Sequence, residues 1–311
     1  MAFTRWKDAL LRRVSMAGRV YPEAPMESRS LVALGAGGFH RIAYTEWGAP
    51  DNPRVLVCVH GLTRNSRDFD EIARALSRHY RVVCPDVVGR GASDRLADKT
   101  HYSYPQYCAD MAALIARLGV AEVDWLGTSM GGLIGMLLAA RANTPIRRLV
   151  LNDVGPFIPR AALARLGTYV GKDPRFADMR EAEVYFRRVM ATFGALTDVQ
   201  WRDVAAHGIE PDGEGRWRLR YDPAIGEPFR AGVFQDVDLW PIWDAIRCPT
   251  FVIRGAESDL LLAATAEEMM RRGPRATVRE IPGAGHAPAL MNEAEIAMVG
   301  TWLLEEGTRH G

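Results

Sequence analysis

Along most of the chain, short apolar runs that suit β-strands alternate with segments whose apolar residues recur at the spacing of an α-helix. Runs made almost wholly of apolar residues, such as LVCV within 54–59, are typical of strands covered on both faces of a sheet. The runs lie at 54–59, 81–84, 123–126, 148–151, 250–254 and 277–281, and the helical patterns at 69–78, 104–118, 130–141, 262–272 and 293–305. Repeated strand–helix units predict an α/β fold in which a mostly parallel sheet carries helices on both faces.

Two departures from this alternation define the predicted domains. Near the start, runs at 30–34 and 41–46 flank a Gly-rich turn and predict an antiparallel hairpin. After Asp153, helical stretches at 159–169, 179–193 and 198–207 follow one another with no run that suits a buried strand. We therefore predict a helical lid at 155–236, inserted into an α/β core at 30–154 and 237–311, behind an N-terminal extension at 1–29.

Charge and composition narrow the classes of function. The 311 residues include 39 basic and 38 acidic side chains, a formal net charge of +1, which excludes a global field that attracts nucleic acid. The basic amphipathic pattern near the N-terminus lacks the apolar core of a secretory signal, and the longest apolar stretch, 131–140, is too short to span a bilayer. The four cysteines lack metal-ligand spacing and favour free thiols. We expect a cytoplasmic monomer or homodimer without stable membrane insertion.

The strongest local motif is GTSMG, from Gly127 to Gly131. It follows an apolar run and opens a helical one, which is the context that a G-x-S-x-G nucleophile elbow requires. Glycines on both flanks permit a sharp strand-to-helix turn that holds the central residue in strained geometry. The motif therefore indicates Ser129 as a nucleophile.

A serine nucleophile needs a base, and the base needs a carboxylate. His286 follows the last predicted strand, so it is expected at the same sheet edge as Ser129. Two acids precede it in the chain order that hydrolases use: Asp259, after the strand at 250–254, and Asp153, after the strand at 148–151. We favour Asp259 and expect Asp153 to order the start of the lid, with Glu257 a third candidate.

The loop after the strand at 54–59 supplies the second half of the predicted chemistry. In HGL at 60–62, Gly61 permits close approach, so the N–H of Leu62 is expected to form an oxyanion hole with the N–H of Met130. His60 is interpreted as a brace for this loop. The Gly-rich segment 86–94 lacks the pattern of a phosphate-binding loop and is interpreted as structural.

Taken together, these segments resemble the α/β-hydrolase family, and within it the lidded serine esterases and carbon–carbon bond hydrolases. The resemblance rests on the stretches HGLTRNSRDF at 60–69, DVVGRGASD at 86–94, GTSMGG at 127–132, RGAESD at 254–259 and GAGHAP at 283–288. It implies an eight-stranded sheet whose second strand is antiparallel. It also implies Ser129 as nucleophile, Asp259 as acid, His286 as base, and Leu62 and Met130 as oxyanion donors.

The expected activity is hydrolysis of small or medium, largely apolar carboxylic esters through an acyl-enzyme, with no metal or organic cofactor. The alternatives are a lactonase, a hydrolase of carbon–carbon bonds beside a ketone, and a ligand sensor with a vestigial pocket. We expect Arg64 to hold a substrate carboxylate or, as the plainer interpretation, to pair with Asp68 or Asp70. The residues expected to contact substrate are Arg64 and Phe69 in the core and Phe157, Tyr185 and Trp201 in the lid.

Overall fold

The computed structural model describes residues 25–230 and 232–305. Most of the N-terminal extension predicted at 1–29 therefore lies outside the described residues. Its last residues are already part of the fold, because the first strand begins at Glu27 rather than at residue 30.

A twisted eight-stranded sheet forms the centre of the described chain. Its strands are β1 (Glu27–Gly35), β2 (Gly38–Trp47), β3 (Val55–Val59), β4 (Arg81–Pro85), β5 (Val123–Thr128), β6 (Ile146–Asn152), β12 (Thr250–Gly255) and β13 (Thr277–Ile281). The short strands β7 to β11 lie between β6 and β12 and are not part of this sheet. Their order across the sheet is β1-β2-β4-β3-β5-β6-β12-β13. The second strand, β2, is antiparallel to both its neighbours, and β3 to β6, β12 and β13 are parallel, as predicted.

Helices follow most strands of the sheet. In the described residues they are α1 (Asp70–Leu76), α2 (Tyr104–Leu118), α3 (Met130–Ala139), α4 (Arg160–Gly167), α5 (Met179–Val189), α6 (Asp198–Gly208), α7 (Glu227–Arg230), α8 (Trp240–Ala245), α9 (Ala263–Met269) and α10 (Glu293–Leu304). The predicted span of α2 agrees with the structure at both ends, whereas most other predicted helices run a few residues too long. None of the described helices combines the length and the apolar character needed to cross a membrane.

Alternate side chains of the central strand β3 explain why helices cover both faces. Val55, Val57 and Val59 enter one apolar core, which includes side chains of α2 and α3. Leu56 and Cys58 enter a second core, which includes side chains of α1 and α10. Since successive residues of a strand point to opposite faces, a strand that is apolar throughout must be covered twice. The predicted α/β fold is confirmed.

The segment between β6 and β12 carries α4 to α8. It also contains short strands that the sequence patterns did not indicate: β7 (Phe157–Ile158) pairs with β11 (Val237–Asp238), and β10 (Trp217–Leu219) pairs with β8 (Arg175–Phe176) and β9 (Ile209–Pro211). We call residues 155–236 the insert. With two or three residues each, these strands are too short to produce a readable alternation.

Candidate active site

Ser129 lies in a backbone conformation that only a tight elbow imposes, with φ 51° and ψ −113°. The flanking glycines are required by close backbone contacts. A Cβ at Gly127 would lie 2.3 Å from the carbonyl carbon of Gly131, and one at Gly131 would lie 2.0 Å from the carbonyl oxygen of Val59. The turn between β5 and α3 therefore presents the Ser129 hydroxyl at the carboxyl end of the sheet.

The loop after β13 brings His286 to this hydroxyl. The Nε2 atom of His286 lies 2.9 Å from Oγ of Ser129. The side-chain amide of Asn152, at the end of β6, donates to the carbonyl of Pro288 at 2.8 Å and ties this loop to the sheet edge. The predicted meeting of residues 129 and 286, which lie far apart in the chain, is therefore present in the structure.

The carboxylate beside His286 is that of Asp153, not Asp259. Oδ2 of Asp153 lies 2.8 Å from Nδ1 of His286. A carboxylate only accepts, so Nδ1–H donates to Asp153 and Nε2 is left to accept the proton of Ser129. Asp153 is fully buried, and its other bonds come from the Gly255 N–H at 2.8 Å and the Ser258 hydroxyl at 2.6 Å. The preference for Asp259 was wrong in geometry, and the second candidate occupies the position.

Asp259 is engaged elsewhere, at the boundary between the core and the insert. Its carboxylate makes a bidentate pair with Arg165 of α4, at 2.5 and 2.8 Å, and its side chain is 47% exposed. Partial burial raises the pKa of Asp259, but the Arg165 guanidinium outweighs this effect and holds that pKa below its usual value. Glu257, the third candidate, is exposed on the same loop.

Asp153 takes the position predicted for Asp259 because the two acids lie at different distances from the strands that they follow. Asp153 directly follows the last residue of β6 and is held over the end of β12, where its own N–H donates to the carbonyl of Ile253. Asp259 comes four residues after β12, where the loop has already turned outward to the insert. Ser258, one residue before it, turns inward and donates to Asp153. No sequence pattern marked Ser258 as part of the site.

The loop at 60–62 lies against the elbow, as predicted. A Cβ at Gly61 would lie 3.8 Å from Cβ of Ser129. In the described part of the chain neither the Leu62 N–H nor the Met130 N–H has a main-chain acceptor, and Met130 is the first residue of α3. Free amides beside a nucleophile, one of them at a helix N-terminus, are suited to stabilise an oxyanion.

Two buried side chains hold this loop in place. Nε2 of His60 accepts from the Val87 N–H at 2.9 Å, and its Nδ1–H donates to the carbonyl of Gly61 at 2.7 Å. Burial lowers the pKa of His60 to about 3, so this ring is neutral and can both donate and accept. Arg90, within the 86–94 segment, donates to the carbonyl of Leu62 at 2.9 Å. His60 and the segment therefore brace the oxyanion loop, in agreement with their structural interpretation.

A cavity of about 610 Å³ opens beside Ser129 and His286. Both the core and the insert contribute apolar side chains to its wall: Leu133, Leu137, Val154, Ile158, Leu163, Leu166, Tyr169, Val170, Phe193, Ile225, Phe229 and Leu260. Its size is in the range of small-molecule sites. Among the described residues that line it, Arg64 is the only arginine or lysine.

The predicted substrate contacts divide by domain. Arg64 and Phe69, in the core, line the cavity, and Arg64 pairs with Asp68, as its plainer interpretation held. The three insert aromatics do not line it. Tyr185 packs between the rings of Phe176 and Phe186, and Trp201 is buried beneath Arg187.

Phe157, the third insert aromatic, is half-buried in the short strand β7. Tyr185 and Trp201 therefore pack inside the insert and not against the cavity. Among the described residues, the insert aromatics that line the cavity are Tyr169, Phe193 and Phe229.

A turn of the insert, Ala191–Phe193, clasps the histidine loop with three hydrogen bonds. The carbonyl of Thr192 accepts from the Gly285 N–H at 2.7 Å, and its hydroxyl donates to the carbonyl of His286 at 2.7 Å. The carbonyl of Phe193 accepts from the Ala289 N–H at 3.1 Å. The insert thus fixes the main chain on both sides of His286, a role for which the sequence carried no signal.

Comparison with known proteins identifies the family. The model of the alpha/beta hydrolase family matches residues 56–299, and the chain belongs to this family. It is 49% identical over 274 residues to the 3-hydroxybutyrate-oligomer hydrolase of Cupriavidus necator, covering 85% of this chain and 93% of that protein. The predicted family is confirmed, and the chain is a hydrolase.

Solved structures agree with this assignment. A putative hydrolase from Rickettsia typhi is 34% identical, with a TM-score of 0.85 over 91% of this chain and 100% of that chain. An alpha/beta hydrolase from Novosphingobium aromaticivorans is 37% identical, with a TM-score of 0.80 over 91% of this chain and 99% of that chain. The similarity therefore includes most of the insert as well as the sheet.

Proposed function

We propose that this chain is a serine esterase that hydrolyses ester bonds of short 3-hydroxyalkanoate chains, 3-hydroxybutyrate oligomers above all. The observation that carries the proposal is the contact series Ser129–His286–Asp153, at 2.9 and 2.8 Å, at the mouth of a largely apolar cavity. The 49% identity to the Cupriavidus necator hydrolase supports the substrate class. Such oligomers repeat a short apolar stem and an ester, which suits this wall.

The chemistry follows from the positions of the three side chains. His286 takes the proton of Ser129 as Oγ attacks the ester carbonyl, and the buried Asp153 carboxylate stabilises the imidazolium. The N–H groups of Leu62 and Met130 stabilise the tetrahedral oxyanion. His286 then protonates the leaving alcohol, and the resulting acyl-enzyme is hydrolysed by water that His286 activates. These reaction steps need no metal or organic cofactor. The absence of a cofactor stays a prediction.

Purified full-length chain assayed on p-nitrophenyl butyrate and on linear 3-hydroxybutyrate dimer and trimer tests the proposal. Ser129→Ala is expected to lower kcat by about 10⁴-fold or more on each substrate. Ser30→Ala, at an exposed serine of the edge strand β1, is the matched control and is expected to keep wild-type rates. A burst of p-nitrophenol equal to the enzyme concentration would support the acyl-enzyme.

Two outcomes would contradict the proposal. Activity of Ser129→Ala within about tenfold of wild type would remove Ser129 as the nucleophile. Turnover confined to lactones or to vinylogous 1,5-diketones would instead establish one of the alternatives on the same scaffold.

A further inference from the structure

Arg64 is a buried cation with one unused hydrogen-bonding edge. Its side chain is 5% exposed. Nε donates to the Asp68 carboxylate at 2.9 Å and Nη2 at 2.5 Å, and the guanidinium lies over the Phe186 ring, 5.2 Å from its centroid. Nη1 is buried and has no acceptor in the described part of the chain. A buried donor of this kind needs an acceptor, so Nη1 is free to donate to a bound molecule.

The position of Arg64 relates this edge to the reaction. It follows the oxyanion donor Leu62 by two residues, so their Cα atoms are at most about 7 Å apart. The turn between them is closed by the Arg64 N–H, which donates to the carbonyl of Gly61 at 3.1 Å. Arg64 and Asp68 line the large cavity and also a smaller polar cavity of about 180 Å³ next to it. Arg64 is therefore at one wall of the reaction cavity, on the same loop as the oxyanion donor Leu62.

We propose that Nη1 of Arg64 binds the free terminal carboxylate of the substrate, so that the enzyme cleaves hydroxyalkanoate chains at their carboxylate end. The inference rests on the proposed function. In such a chain the last ester oxygen and the terminal carboxylate belong to the same hydroxyacid unit, separated by a short run of carbon atoms. A carboxylate held beside the oxyanion loop therefore places this last ester near Ser129, and the unit released is a monomer.

Asp68 determines how strongly this subsite binds. It orients the guanidinium through two nitrogens and neutralises its charge, which leaves a directed hydrogen-bond donor rather than a strong cationic trap. A charge-assisted hydrogen bond typically changes affinity by about tenfold or more. We expect about tenfold discrimination between a free acid and its ester, together with ready release of the monomer.

The test compares 3-hydroxybutyrate dimer with its methyl ester, which has the same scissile bond but no free carboxylate. Wild type is expected to favour the acid by about tenfold in kcat/KM, mainly through KM. In the double variant Arg64→Gln/Asp68→Asn, which removes both charges together, the ratio of the two kcat/KM values is expected to fall to about one. Asp68→Asn alone is expected to keep or raise the ratio, because Arg64 remains.

Two further variants keep the test informative. Arg64→Lys retains the charge without the planar fork and is expected to give an intermediate ratio. Arg67→Gln changes a neighbouring arginine that pairs with Asp70 and does not line the large cavity, so it is expected to leave the ratio unchanged. A wild-type ratio near one, or a ratio unchanged in both the double variant and Arg64→Lys, overturns the subsite.

Binding separates this inference from the proposed function. Calorimetry on Ser129→Ala, which needs no turnover, is expected to show about tenfold tighter binding of the dimer than of its methyl ester, and loss of the difference when Arg64→Gln/Asp68→Asn is added. If wild type hydrolyses both dimers and Arg64 has no effect, the subsite alone fails. If neither dimer is hydrolysed, the proposed function fails. Equal binding of acid and methyl ester, or binding of neither, overturns the subsite in either case.

Discussion

The loops after β6 and β12 leave adjacent parallel strands at the same edge of the sheet. Each loop carries an aspartate that was a candidate partner for His286. In the first loop, Asp153 is fully buried and receives hydrogen bonds from Gly255 and Ser258. In the second, Asp259 is half-exposed and paired with Arg165. The difference shows that a carboxylate is selected as histidine partner by its burial and its donors, and not by its place in the chain order.

The largest effect expected from this comparison is on catalysis. Asp153→Asn is expected to lower kcat by about 10⁴-fold, because the amide cannot hold the required tautomer of His286 or stabilise its charged form. Asp259→Asn is the matched variant on the neighbouring loop and is expected to stay within about threefold of wild type. Steady-state kinetics on p-nitrophenyl butyrate, with circular dichroism as a folding control, makes the comparison.

A reversal of these two severities would mean that the histidine changes partner during turnover. A large loss in both variants would mean that the Arg165 pair also acts on the reaction, through the insert.

A smaller effect on kcat is expected at Ser258, whose hydroxyl, on the loop after β12, donates to Asp153 on the loop after β6. Ser258→Ala removes the 2.6 Å hydrogen bond to Oδ2 of Asp153 and is expected to lower kcat by about tenfold, the equivalent of one bond to a charged group. The exposed neighbour Glu257→Gln is the control and is expected to leave kcat unchanged. An unchanged kcat in Ser258→Ala, in the pH range where wild type is fully active, would show that the N–H of Gly255 suffices to hold Asp153.

The smallest effect concerns stability at the boundary with the insert. The pKa of Asp259 is lower in the folded chain, so its pair with Arg165 stabilises the fold above the unfolded pKa, about 3.9, and this contribution is lost as the pH falls through the lower folded value. Because the pair is half-exposed, Asp259→Asn is expected to cost less than about 1 kcal/mol at pH 7 and less still at pH 3.

Urea unfolding of wild type and Asp259→Asn at the two pH values measures the loss of unfolding free energy caused by the substitution. A larger loss at pH 3 than at pH 7 would contradict the assigned direction of the pKa shift of Asp259.

The site divides into parts that local patterns specify and parts that they do not. The glycines beside Ser129 and Gly61 are required by backbone contacts, so short motifs located the nucleophile and the oxyanion loop. His286 followed because parallel strands end at one edge. The sequence patterns did not separate Asp153 from Asp259, since both follow adjacent strands and the hydrogen bonds that Gly255 and Ser258 donate to Asp153 exist only in the folded core.

The insert was predictable as helical and unpredictable in its contacts. Its main helices appear near the predicted ranges because their spacing is local. Which aromatic residue faces the cavity depends on how those helices pack, and Tyr169 and Phe193 do so while Tyr185 and Trp201 fill the interior of the insert. The clasp by Ala191–Phe193 uses two main-chain carbonyls and one hydroxyl, which form no recognisable pattern in the sequence. The assigned cytoplasmic location and oligomeric state stay predictions.

The turn Ala191–Phe193 makes one set of hydrogen bonds serve two purposes. The same bonds close the insert over the cavity and hold the main chain of His286 in register with Ser129. Any movement that lifts this turn to admit or release a molecule also loosens the proton acceptor. A molecule that enters by lifting this turn is therefore hydrolysed only after the turn has returned.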